Sequence, residues 1–290
     1  MSRRAGTGLA IGAAGLASLA TLVSRAAARR ISHPSPVDKR YMTPWELALP
    51  HEEVSFRTTD GLLLRGWWMP REGARRTVVA LAGHNGGKHH CLGIGSYLWR
   101  RGANVLLFDN RGRGESEGTV TTLGALESLD AHAAVGYALS RAPELPLGLV
   151  GYSMGGAVAV MVAARDGRVG AVVADSAFAS QRELLKSHIR RRTFGLPAYP
   201  LAALIESFLP HDVSEVEPVR EVSRIAPRSC LFVQGLLVEV PAPNDSRSLY
   251  EAAGEPKELW LLQGVGHCGA YFADRAAYCE RVAAFLERYL

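Results

Sequence analysis

A serine hydroxyl becomes a nucleophile only when a nearby base can take its proton. One serine in this sequence stands where such a base could be supplied. Gly151-Tyr152-Ser153-Met154-Gly155 is a G-x-S-x-G, entered from the apolar run Leu147–Tyr152 and left through Gly155-Gly156-Ala157, which opens a helical stretch. A strand–turn–helix of this kind strains the serine backbone and lifts Oγ above the end of a sheet. Glycines two residues to either side let the strand and helix backbones approach. An idle serine in a surface turn is the competing reading.

The base must come from elsewhere in the chain. His267 lies in Gly264-Val265-Gly266-His267-Cys268-Gly269, after the last apolar run and C-terminal to the serine. The other histidines fall in early loops, in the linker or in an insertion, apart from His132 in a helical pattern. A developing oxyanion needs backbone N–H groups aimed at it. The residue after the serine, Met154, supplies one candidate. The loop Gly83-His84-Asn85-Gly86-Gly87-Lys88 supplies the other, at the His84 N–H. The His84, His89 and His90 side chains could instead suggest a metal site, but no matching group of acids or cysteines accompanies them. The chemistry calls for no cofactor.

These residues need a sheet beneath them. Glu53–Thr58 and Leu62–Met69 read as a hairpin turned at Asp60-Gly61. Short apolar runs follow at Thr77–Ala82, Val105–Phe108, Leu147–Tyr152, Gly170–Ala174, Cys230–Gln234 and Leu259–Leu262. Helical patterns at Leu123–Ser140, Met154–Arg165, Ser246–Ala253 and Tyr271–Tyr289 separate most of them. This alternation predicts an α/β fold with a mainly parallel sheet covered on both faces. Ala179–Pro227 breaks the rhythm with Arg190-Arg191-Arg192, aromatics and prolines, and reads as a helical insertion where a lid would sit.

The 290 residues suit one large α/β domain, from about residue 51 to 290. Residues 31–50 form a proline-containing linker. In residues 1–30, Arg3, Arg4, Arg25, Arg29 and Arg30 flank the uncharged run Ala5–Val23 and no acid offsets them. Removing five charges from the net +5 leaves the rest near neutral, so the basic balance points to a membrane or export signal rather than to nucleic acid. The run matches the roughly 20 residues that cross a bilayer, although Ala and Gly make it weakly hydrophobic. A membrane anchor, a cleaved signal and an arm are the three readings. Cys91, Cys230, Cys268 and Cys279 show no metal-ligand spacing and read as buried thiols, with disulfides open in an exported chain.

From about Glu52 to Leu290 the chain resembles the α/β-hydrolase superfamily, close to its serine aminopeptidase-like and Bem46-like bacterial members. The resemblance rests on Thr59-Asp60-Gly61, the Gly83–Lys88 loop, Phe108-Asp109-Asn110-Arg111-Gly112, Gly114-Glu115-Ser116, Gly151 to Gly156, Asp175-Ser176-Ala177-Phe178 and Gly266-His267. It implies cofactor-free hydrolysis of an ester, thioester or amide by a Ser-His-acid triad. Asp109 and Arg111 read as an ion pair that shapes a loop. One departure stands out. Relatives carry the triad acid after the strand read here as Cys230–Gln234, in a pattern like G-x-x-D followed by V-P. This chain has Gly235-Leu236-Leu237-Val238-Glu239-Val240-Pro241, with valine at the aspartate position. Three readings stand open: Glu239 stands in for it after a small shift of the loop, Asp175 serves from the preceding strand, or the acid is absent. Two functions follow: a serine hydrolase acting on a small acyl substrate, or a degenerate hydrolase fold that binds without catalysing. The elbow, the histidine and the glycine loop favour the first, and Val238 favours the second.

Overall fold

The computed structural model describes residues 2–33, 41–192, 199–237 and 245–290. The chain opens with α1 (Ser2–Ser32). It then follows β1 (Glu52–Arg57), β2 (Leu63–Met69), β3 (Arg76–Leu81), α2 (Leu92–Arg100), β4 (Ala103–Phe108), α3 (Glu127–Arg141), β5 (Leu147–Tyr152), α4 (Met154–Arg165) and β6 (Val169–Asp175). After these come α5 (Gln181–Arg192), α6 (Tyr199–Glu206), α7 (Pro218–Glu221), β7 (Ser229–Gly235), α8 (Asp245–Ala252), β8 (Lys257–Leu262), α9 (Ala270–Ala273) and α10 (Arg275–Tyr289). The eight strands make one sheet in the order β1-β2-β4-β3-β5-β6-β7-β8. β1, β2 and β4 pair antiparallel, and every pairing from β4 through β8 is parallel.

Alternate residues of the central strands feed two cores. Val79 and Leu81 of β3 face the core shared with α3 and α4, whereas Val78 and Ala80 face the core shared with α2 and α10. Burial on both faces is why these strands read as unbroken apolar runs. β5 lies between β3 and β6, so the turn after it opens at the middle of the sheet's C-terminal edge. In α/β sheets of this kind ligands gather there.

Several elements differ from the sequence expectation for local reasons. The helix expected from Leu123 begins at Glu127, because Leu123 and Gly124 take positive φ of 54° and 131°. The Glu127 carboxylate accepts from the N–H groups of Thr122 and Gly124 and holds that turn. α2 is absent from the expected helices, since Gly93 and Gly95 blur its apolar period. Gly95 is nonetheless useful there, because the Leu107 side chain lies against the place a Cβ would occupy. The helix expected over Tyr271–Tyr289 breaks at Asp274, which is extended (φ −150°) and caps α10 by accepting from the Ala277 N–H. Within the linker, Pro44–Leu47 forms a short 3₁₀ turn held by a Thr43–Glu46 capping box.

α1 extends beyond residue 30, and its last turns are docked. Ala28 packs with Leu185, Ile189, Ala202 and Ile205 of α5 and α6, and the Ser32 carbonyl accepts from the Thr121 N–H. No described helix is long and apolar enough to cross a membrane.

Candidate active site

The turn between β5 and α4 holds Ser153 at φ 54°, ψ −116°, a strained conformation for a residue with a side chain. Two backbone contacts enforce it. The Ser153 N–H donates to the Asp175 carbonyl at 2.8 Å, and Gly155 sits against the Leu81 and Ala82 carbonyls with no room for a Cβ. Gly151 in turn packs against the backbone of Gly155. The two outer glycines of the motif are thus required by close approach.

His267 arrives from the loop between β8 and α9. Its Nε2 lies 3.0 Å from Ser153 Oγ, although the two residues are 114 positions apart. Burial lowers the His267 pKa below the ordinary value. The ring is therefore neutral near pH 7, and with Nε2 as acceptor its proton sits on Nδ1. No carboxylate contacts this ring among the described residues.

Asp175 is fully buried at the end of β6. Oδ1 accepts from the Ser176 hydroxyl at 2.9 Å, and Ser176 Oγ accepts from the Cys268 N–H at 3.0 Å. Burial pushes the Asp175 carboxyl up to about 6, with the Ser176 hydroxyl pulling the other way. No hydrogen bond joins Asp175 to His267: Oδ1 takes the Ser176 hydroxyl, and Oδ2 is buried with no hydrogen-bond partner among the described residues. Instead Asp175 and Ser176 hold the histidine loop through Cys268, which takes φ 51°. The sequence places Ser176 in the Asp175-Ser176-Ala177-Phe178 motif without giving it this role. Val238 and Glu239 lie outside the described residues.

The Met154 and His84 N–H groups make no hydrogen bond among the described residues. Met154 begins α4, where the N–H groups of the first turn have no helical acceptor. Gly83, the residue before His84, runs beside the Tyr152 carbonyl and Ser153 Cβ. Burial drives the His84 ring down to about 4, so it is neutral. Among the described residues no group of three or more His, Cys, Asp or Glu side chains could hold a metal ion. The four cysteines carry no disulfide.

The expected Asp109–Arg111 pair is also corrected. Asp109 pairs with buried Lys88, Oδ1 accepting from its N–H at 2.7 Å and Oδ2 from Nζ at 2.8 Å. Arg111 bridges Asp60 and Asp130 instead. The first pair ties the Gly83–Lys88 loop to the end of β4, and the second ties the β1–β2 turn to α3. Both shape loops, through partners that lie far off in sequence.

Ser153 and His267 line a cavity of about 600 Å³ with Gly83, His84, Ile94, Tyr152, Cys268, Tyr271 and Phe272 among its walls. No described residue of the Ala179–Pro227 insertion is in that lining. Comparison with known proteins agrees with the architecture. The family model described as "Serine aminopeptidase, S33" matches residues 72–222. The chain belongs to this α/β-hydrolase family. It is 31% identical to the uncharacterised protein YfhR of Escherichia coli K12, covering 87% of this chain and 84% of that protein. It is 36% identical to the polyketide transferase ATR5 of Stachybotrys chlorohalonatus, covering 83% and 98%. Among solved structures, the Pyrococcus furiosus esterase Pf2001 superposes with a TM-score of 0.75 at 25% identity, covering 89% of this chain and 98% of that one.

Proposed function

We propose that this α/β-hydrolase is a serine hydrolase that cleaves an ester, thioester or amide through an acyl-enzyme. The observation that carries the reading is the 3.0 Å contact between His267 Nε2 and Ser153 Oγ on a strained turn. His267 Nε2 takes the Ser153 proton as Oγ attacks the carbonyl carbon. The Met154 and His84 N–H groups receive the oxyanion. The imidazolium then protonates the leaving group, and water repeats the sequence in reverse to release the acid. Glu239 is assigned as the acid that steadies the imidazolium, since it is the carboxylate beside the family position and Asp175 makes no hydrogen bond to His267 among the described residues. Hydrolysis of a short p-nitrophenyl ester tests the nucleophile. Ser153→Ala should abolish turnover and leave thermal unfolding nearly unchanged, and undiminished turnover would remove Ser153 from the reaction.

Two further readings each have an observation behind them. With valine at position 238, where relatives carry the acid, the fold can serve as a binding protein with weak or no catalysis. The polyketide transferase relative supports acyl transfer, in which an acceptor other than water takes the acyl group. The N-terminal helix belongs to the proposal as well. With exposed Leu19, Leu22 and Val23 and arginines at both ends, α1 is suited to the surface of an anionic membrane. The insertion, clamped by α1, would then move as a lid at that surface.

A further inference from the structure

A second cavity of about 600 Å³ lies beside the catalytic one, between the segment before β1, α2 and α10. Its walls include Met42, Leu47, Leu92, Tyr97, Ala276 and Cys279, which makes it largely apolar. The two cavities share His89, Gly93 and Tyr271. Tyr271 stands on this shared boundary. Its hydroxyl rests on Gly93, where even a Cβ would collide with it. The ring is half-buried, with edge contacts to Phe272 and Tyr278 and the Arg275 guanidinium 5.2 Å from its centre. Its hydroxyl donates to no acceptor among the described residues, so no hydrogen bond pins the partition in place.

We infer that the second cavity is an acyl-chain subsite, entered from Ser153 past Tyr271 and over Gly93, and that it gives the enzyme a preference for esters of medium or long apolar acids. This inference rests on the serine hydrolase reading and adds the substrate class. The occupant follows from what surrounds the route. At one end is the group that would bond to the acyl carbon. Beyond it the walls are mostly apolar, with His89, Ser96, Arg100 and Arg275 among them, and the Tyr271 ring, whose hydroxyl closes down on Gly93, is the side chain that an acyl chain must turn aside to pass. Each methylene removed from water strengthens binding by about fourfold, so a few buried there set a clear preference.

The test compares p-nitrophenyl decanoate with p-nitrophenyl acetate, holding the leaving group constant. Ala276→Trp fills the far cavity from an exposed helix position, where folding is tolerant. It should lower the decanoate-to-acetate ratio of kcat/KM about tenfold. Tyr271→Ala, which removes the partition, should raise that ratio. A ratio within twofold of wild type for Ala276→Trp would overturn the subsite. Dodecan-2-one binding, followed by calorimetry in the Ser153→Ala background, separates this from the question of catalysis. If no ester is hydrolysed, the serine hydrolase reading fails. The subsite then stands if adding Ala276→Trp weakens ketone binding about tenfold, and falls if it leaves the affinity unchanged.

Discussion

Desolvation decides what His267 can do. Its burial favours the neutral ring, the form that accepts a proton from Ser153. Lowering the pH protonates the ring and removes the base, so kcat/KM should rise with pH through a midpoint below about 6.5. A pH–rate profile for a neutral ester checks this. A rate that falls as pH rises through that range would contradict His267 as the base, whereas an ionised carboxylate on the ring would draw the midpoint back upward against burial. The identity of such a carboxylate can be read from three variants. In a triad, replacing the acid with its amide lowers turnover about ten-thousand-fold. Glu239→Gln should show a loss of that order, and Asp175→Asn should lose less than about tenfold, since Asp175 acts through Ser176 and Cys268. If Glu239→Gln turns over like wild type, Glu239 is not the acid. Val238→Asp should then raise turnover by restoring a carboxylate at the family's position.

At the scale of elements, the glycine pattern made the elbow legible in the sequence, because close backbone approach at Gly151 and Gly155 permits no other residue. The parallel strands were legible for the same kind of reason, being apolar on both faces. Partnerships between distant loops were not. Asp109 and Arg111 are two residues apart, yet each pairs with a group that the sheet brings in from elsewhere. Local spacing carries no record of that. α1 posed a similar difficulty. Its Ala-rich pattern hid an apolar seam that meets the insertion at Ala28, packed against Leu185, Ile189, Ala202 and Ile205. Beginning the chain at Ser32 exposes that seam and should cost about 1–3 kcal/mol, at about 2–4 °C in Tm per kcal/mol for a domain of this size. No described residue of α1 lines the Ser153 cavity, so ester turnover should persist. The full chain should sediment with vesicles rich in anionic lipid and the shortened one should not. Equal sedimentation of the two would end the membrane role of α1.

The molecule as a whole is a sheet whose central C-terminal edge gathers groups from four separate loops. β5 brings Ser153, the β8–α9 loop brings His267, the β3–α2 loop brings His84, and the end of β6 brings the Asp175–Ser176 brace. The sequence offered Ser153, His267 and His84 as candidates because each lies in a motif, and it offered Asp175-Ser176 only within a family resemblance, with no sign that the serine braces the histidine loop. The proposed function requires these loops to activate a serine, and a fluorophosphonate reports that state directly, since it reacts with a serine whose proton a base can take. Intact-mass measurement and peptide mapping of the labelled protein should show one adduct on wild type, located at Ser153, none on Ser153→Ala, and strongly reduced labelling on His267→Ala. Folded wild-type protein that stays unlabelled, or that carries its adduct on another serine, would contradict the account.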